Sequence, residues 1–170
     1  MGIRKLSRTA LLLALMIVFQ SLRLYLPMPV FLSVFIIGSL VNACLLLAAA
    51  AGGWKPALAL SFAAPVVAYL QQALPLPIFI LPVAAANIAY AGGYLVLAGR
   101  QRFMAVLGAT AAKFIVIYLT VAGIIQYIEI PGAMAAMLTM MLGWPQWVTG
   151  IGGGMIFFAV HKRLFKFITG

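Results

Sequence analysis

The chain has one glutamate and no aspartate in 170 residues, one histidine and one cysteine. Each scarcity removes a class of chemistry. One acid and one histidine cannot build a carboxylate pair, a Ser-His-Asp triad or a His/Asp metal cluster. One cysteine excludes an internal disulfide and a Cys-x-x-Cys site. No GxxxxGK[ST] loop occurs, so the chain is not itself a P-loop ATPase. This inventory leads us to expect no enzyme, no metal and no cofactor. Charged residues make up only 7%, where a soluble domain carries roughly 25%.

What is present is apolar. Hydrophobic residues make up 66% of the chain, and the mean hydropathy is +1.21. Eleven Lys and Arg against one acid give a formal charge of +10. A nucleic-acid binder can be as basic, but it must expose more polar residues than this chain owns, so no nucleic-acid partner is expected. The expected class is an all-α polytopic membrane protein whose solvent is the lipid bilayer. A spanning helix needs about 20 mostly apolar residues. Six segments qualify, at about 7–26, 34–52, 56–73, 77–98, 103–125 and 144–165. They fill 1–170 as one domain, a compact bundle of six transmembrane helices. The first segment follows Arg4, Lys5 and Arg8 as a secretory signal would, but it runs to Leu26 without an A-x-A-like site. It reads as a retained helix.

The breaks between segments have local causes. Pro27 and Pro29 stop the first, and Gly52-Gly53-Trp54-Lys55-Pro56 makes a tight turn with a proline where a helix restarts. Gln71–Pro77 and Gly99–Arg102 separate the next pairs. Pro65 and Pro82 lie inside segments, which a membrane bundle tolerates. After Ile130-Pro131-Gly132 the stretch 132–142 is too short to span. It reads as a short helix at the interface or across the bundle end. No internal repeat supports an inverted-repeat transporter.

The cations give an orientation. Arg4, Lys5, Arg8, Lys55, Arg100, Arg102, Lys162, Arg163 and Lys166 all fall on one side of the six segments. By the positive-inside rule both termini are cytoplasmic, and the same flank suits anionic lipids. Arg23 sits near the opposite end of the first segment. Lys113 sits in the middle of the fifth.

A central lysine costs roughly 2.5–3.5 kcal/mol on insertion scales, so it should face protein or water. No acid lies inside a segment to neutralise it. Two readings fit: it snorkels to the surface, or it meets a carbonyl, a polar side chain or an anionic ligand. Thr120 and Tyr127 follow at helical spacing on the same face, as Asn87, Tyr90 and Tyr94 do on the fourth segment. Gln126, Glu129, Trp144, Gln146 and Trp147 share the outer level. The tryptophans suit an aromatic belt. Together these side chains could line an outward-opening pocket. The candidate substrate-binding residues are therefore Asn87, Tyr90, Lys113, Thr120, Gln126, Tyr127, Glu129, Trp144, Gln146 and Trp147. Asn42 reads as glue between helices, Cys44 as a buried small hydrophobe and His161 as part of the basic flank. Ala10 and Ala14, at AxxxA spacing, and Gly150-Ile151-Gly152-Gly153-Gly154 allow close helix approach, within the chain or to a partner.

Ala10-Leu11-Leu12-Leu13-Ala14 after Arg4-Lys5-Leu6-Ser7-Arg8, with Ala112–Leu119 and Gly143–Gly150, resembles the S-components of energy-coupling factor (ECF) vitamin transporters. The resemblance covers the whole chain in architecture and a few short motifs in sequence. It implies a substrate-binding subunit in the cytoplasmic (inner) membrane of a prokaryote. Ala10 and Ala14 would dock on a transmembrane T-component, and two cytoplasmic ATPases would complete the importer. The substrate would enter from outside, near the loop after the first segment. Lys113 and the scarcity of acids favour a neutral or anionic vitamin-like small molecule. The metal-binding branch of the family needs an amino-terminal histidine segment, which Met1-Gly2-Ile3-Arg4 is not. The competing expectations are a stand-alone small-solute transporter or channel, and a non-transport membrane scaffold. Proton coupling in the former would want a carboxylate within a span.

Overall fold

A computed structural model describes residues 2–26, 29–99, 101–128 and 130–168, the side chains of 164–168 excepted. Among these residues seven α-helices follow one another: α1 (Ile3–Tyr25), α2 (Val30–Gly52), α3 (Trp54–Leu70), α4 (Ile80–Leu97), α5 (Arg102–Tyr127), α6 (Gly132–Leu142) and α7 (Pro145–Ile168), with a 3₁₀ turn at Pro77–Phe79. Six are long and α6 is short. Among the described residues, four stretches are long and apolar enough to cross a membrane: Ile3–Tyr25, Val30–Gly52, Pro77–Leu97 and Arg102–Tyr127. An all-helical multi-pass membrane protein is compatible with this composition.

Helix boundaries follow the punctuation of the chain. Pro29 and Pro131 stand immediately before α2 and α6, where a missing N–H costs nothing. The turn between α2 and α3 is tighter than the sequence suggests. It consists of Gly53 alone, at φ +77°, a conformation that a residue with a Cβ resists. Lys55 and Pro56 therefore belong to the first turn of α3.

Helix α2 is the centre of the bundle. It packs against α1, α3, α4 and α7, and Asn42–Ala49 are all buried. This enclosed second half is apolar apart from Asn42, as a stretch surrounded by other helices must be. Helix α1 is peripheral. It touches α2 and α3 and buries only Met16 and Gln20. Met16, Leu45, Leu46, Leu60, Tyr90 and Phe157 belong to the main core, and Tyr94 meets Phe157 edge-on at 5.2 Å. A second apolar cluster, with Phe79, Ile117, Val121 and Leu138, fixes α6 beneath the end of α5.

The glycine stretch of α7 sets the spacing of the core. A methyl on Gly153 would come within 2.5 Å of Asn42 Cβ and 2.9 Å of the Ser39 carbonyl oxygen, and one on Gly152 within 2.6 Å of Ser39 Oγ. A methyl on Gly150 would lie 2.6 Å from Thr110 Cγ2, and one on Gly154 would collide with Val106. So Gly152 and Gly153 face α2, while Gly150 and Gly154 face α5. Close packing on bare backbone is what such residues permit. These glycines serve packing within the chain. His161 is not on a solvated flank. It is buried, with its ring 4.9 Å from that of Phe157. Cys44 is a buried free thiol.

Candidate functional site

The helix ends fall into two groups. Lys5 and Arg8 of α1 line a crevice with Ala51, Gly52 and Pro56, so the start of α1 lies beside the α2–α3 turn. The end of α1 is elsewhere. Arg23 borders a cavity with Leu74 from the α3–α4 connection and with Met141, Leu142 and Gln146 from the α6–α7 corner.

That cavity measures about 140 Å³. Its floor reaches the middle of the bundle, where Asn42, Ala64, Asn87, Lys113 and Thr149 are all buried. Its rim, with Arg23, Ala73, Met141, Leu142 and Gln146, is partly exposed. The walls are mostly apolar, with a small number of convergent polar groups, the general form of a small-molecule site.

Five of the polar wall residues are fixed by hydrogen bonds within the bundle. Lys113 Nζ donates to Asn42 Oδ1 at 2.6 Å and stands 5.3 Å from the centre of the Tyr90 ring. The Tyr90 hydroxyl in turn donates to the Gly150 carbonyl at 2.7 Å. Helices α2, α4, α5 and α7 are thus tied together around one ammonium. Pro65 lacks an N–H, which leaves the carbonyl of Ser61, four residues back, without its helical donor. Asn87 Nδ2 reaches that carbonyl from α4 at 3.5 Å. Gln20 Nε2 donates to the Ala64 carbonyl at 2.9 Å, while its Oε1 is buried without a hydrogen-bond partner. Arg23 Nε donates to the Gln20 carbonyl at 3.1 Å.

Of the ten residues expected to contact substrate, Asn87, Lys113 and Gln146 border this cavity. Tyr90 lies just behind it, fully buried under Lys113. Thr120 and Tyr127 line a separate, open apolar groove between α4 and α5. Gln126 is exposed. Trp144 packs on Phe31 and Phe35, and Trp147 on Phe114, both at the bundle surface. Glu129 lies outside the described residues. Four further polar residues border the cavity: Gln20, Arg23, Asn42 and Thr149. A signal for two of them exists in the sequence. Gln20 and Arg23 follow the buried Met16 at i+4 and i+7, which puts two polar side chains on the face where an apolar span should bury hydrophobes.

Ala10 and Ala14 are exposed, so no helix among the described residues uses their close-approach surface. Leu11, Leu15 and Val18 beside them are exposed too. No protein-family model matches the chain, and neither does any curated protein or solved structure.

Proposed function

We propose that the chain is the substrate-binding membrane subunit of an ECF-type importer. In this reading it captures a vitamin-like small molecule from outside in the cavity bordered by Lys113, Asn42 and Asn87. The observation that carries it is the position of that cavity. Its rim lies at the end of the bundle away from the cationic helix ends. The positive-inside rule makes the cationic end cytoplasmic. The mouth then faces outward in the inner membrane of a prokaryote, with both termini inside.

Two further features support the reading. The chain has a single acid, at the edge of a span, so it offers no membrane-centred carboxylate for proton coupling. It has no nucleotide-binding loop either, so energy has to come from partners. Ala10 and Ala14, exposed near the cytoplasmic end of α1, suit the approach of a partner helix. A T-component and two ATPases are the partners this reading requires. The chain acts as a binding protein, not as an enzyme.

The test is affinity purification of the tagged full chain from its own membranes, with the co-purifying proteins identified by mass spectrometry. A membrane subunit and two ATPases are expected. A chain that comes out alone, and that carries solute into proteoliposomes without any ATPase, overturns the reading in favour of a stand-alone transporter.

A further inference from the structure

We propose that the cavity takes a compact organic anion, its carboxylate or phosphate held between Lys113 and Arg23. The proposal rests on the reading of the cavity as a substrate site and names the class of molecule it admits.

The first argument is charge. In the sequence, nine of the eleven cations fall in the flanks that the positive-inside rule assigns to one side. The other two, Lys113 and Arg23, border one cavity from α5 and α1. The remaining polar groups on that wall, Gln20, Asn42, Asn87, Gln146 and Thr149, are neutral. Glu129 is the only acidic side chain in the whole chain, so at most one of the two positive charges could find an acid within the protein. At least one of the two cations is thus without an acidic partner, and for Lys113, buried in the floor, an unpaired charge is costly.

The second argument is donor capacity. An ammonium has three N–H donors and a guanidinium five. Lys113 gives one to Asn42, and Arg23 gives its Nε–H to the backbone of Gln20. A carboxylate or phosphate accepts several such bonds at once, and charge-assisted bonds are the strong ones. The wall offers acceptors as well. Gln20 is 3% exposed, borders the same cavity and holds a buried Oε1 without a partner. It suits a neutral N–H or O–H on the same molecule.

The third argument is size. The cavity of about 140 Å³ is close to the ~150 Å³ that houses a benzene ring. A single ring or a short branched acid fits inside, and any longer portion must leave through the rim at Gln146 and Met141.

The experiment loads the purified full chain with the small-molecule fraction of a bacterial extract, washes it, denatures it and identifies what is released. Wild type is compared with Ala68→Phe, which places a ring in the cavity, and with Arg23→Gln, Lys113→Gln and Lys113→Arg. Arg23 lies at the partly exposed rim, so its variant keeps the test alive if a Lys113 variant does not fold. A carboxylate or phosphate compound is expected, absent from Ala68→Phe, reduced about tenfold or more in Arg23→Gln and Lys113→Gln, and partly restored in Lys113→Arg. A neutral or cationic molecule lost in Ala68→Phe overturns the anion proposal and leaves the substrate site standing. A phospholipid released in the same pattern keeps the cation pair as an anion clamp but overturns the solute site. Release of nothing, or equal release from Ala68→Phe, overturns both.

Discussion

Lys113 on α5 and Asn42 on α2 meet at 2.6 Å in the middle of the bundle, a lysine ammonium held by a neutral amide. The pairing leaves the charge without an acid, and its consequences are measurable. Asn42→Leu removes the amide and leaves the buried ammonium without that acceptor, beside the face of the Tyr90 ring. Interhelical hydrogen bonds in membranes average ~0.6 kcal/mol. A charged partner raises the loss to about 1.5–3 kcal/mol. Thermal unfolding in detergent, followed by tryptophan fluorescence, should show the larger value.

Asn42→Asp is expected to do the opposite for folding and to weaken the binding of an anion. A carboxylate beside Lys113 completes the charge pair inside the protein. The melting temperature should hold or rise, while retention of an anionic molecule falls about tenfold or more. A melting curve and an occupancy measurement on the same sample separate the two effects. Loss of both together would argue that the site has collapsed.

Gly153→Ala should disturb the same pair from behind. Its methyl has to displace Asn42 Cβ and the backbone of Ser39 and Ala43, which lie 2.5–3.0 Å away. Rigid backbone does not yield as a side-chain tip does, and overpacking of this kind costs about 1–3 kcal/mol. Gly123→Ala is the matched control. Nothing lies within 4 Å of a Cβ there, so the change is neutral or stabilising by up to ~1 kcal/mol through helix propensity.

Pro65 and Asn87 should be coupled. The carbonyl of Ser61 accepts from Asn87 because Pro65 cannot supply a helical donor. Pro65→Ala restores that donor, so Asn87→Leu should cost less in the Pro65→Ala background than in wild type. The expected interaction energy in a double-mutant cycle is about 0.5 kcal/mol. Strict additivity would mean that Asn87 stays for the cavity alone.

These outcomes also mark how far the sequence could be read. The helices were legible because apolar runs and prolines bound them directly, and α6 stood out as too short to span. Lys113 was legible because a charge in such a run has no inexpensive place to go. Its partners were not. Periodicity assigns a residue to a face of its own helix but does not say which neighbour that face meets, so Asn42 reads as generic glue. Thr120 and Tyr127 share a face with Lys113 by count, yet they stand about 10 and 21 Å further along the axis, beyond the cavity. Arg23, close to a helix end, reads as a surface cation. Only the packing of α1 against α2 and α3 turns it toward Lys113's cavity.

A double substitution Ala10→Trp and Ala14→Trp places two large rings on a face that none of the described residues covers. Folding and small-molecule occupancy should not change, whereas co-purification of a membrane partner and ATPases should be lost. Retained assembly would move the partner interface to another face.

The most direct measurement is the native mass spectrum of the wild-type chain released from detergent after exposure to a cell extract, beside that of Ala68→Phe. A wild-type spectrum with one added small mass per chain, missing from Ala68→Phe, is the predicted result. Two spectra that both show the bare chain, or the same added mass in both, would contradict the assignment of this cavity as a binding site.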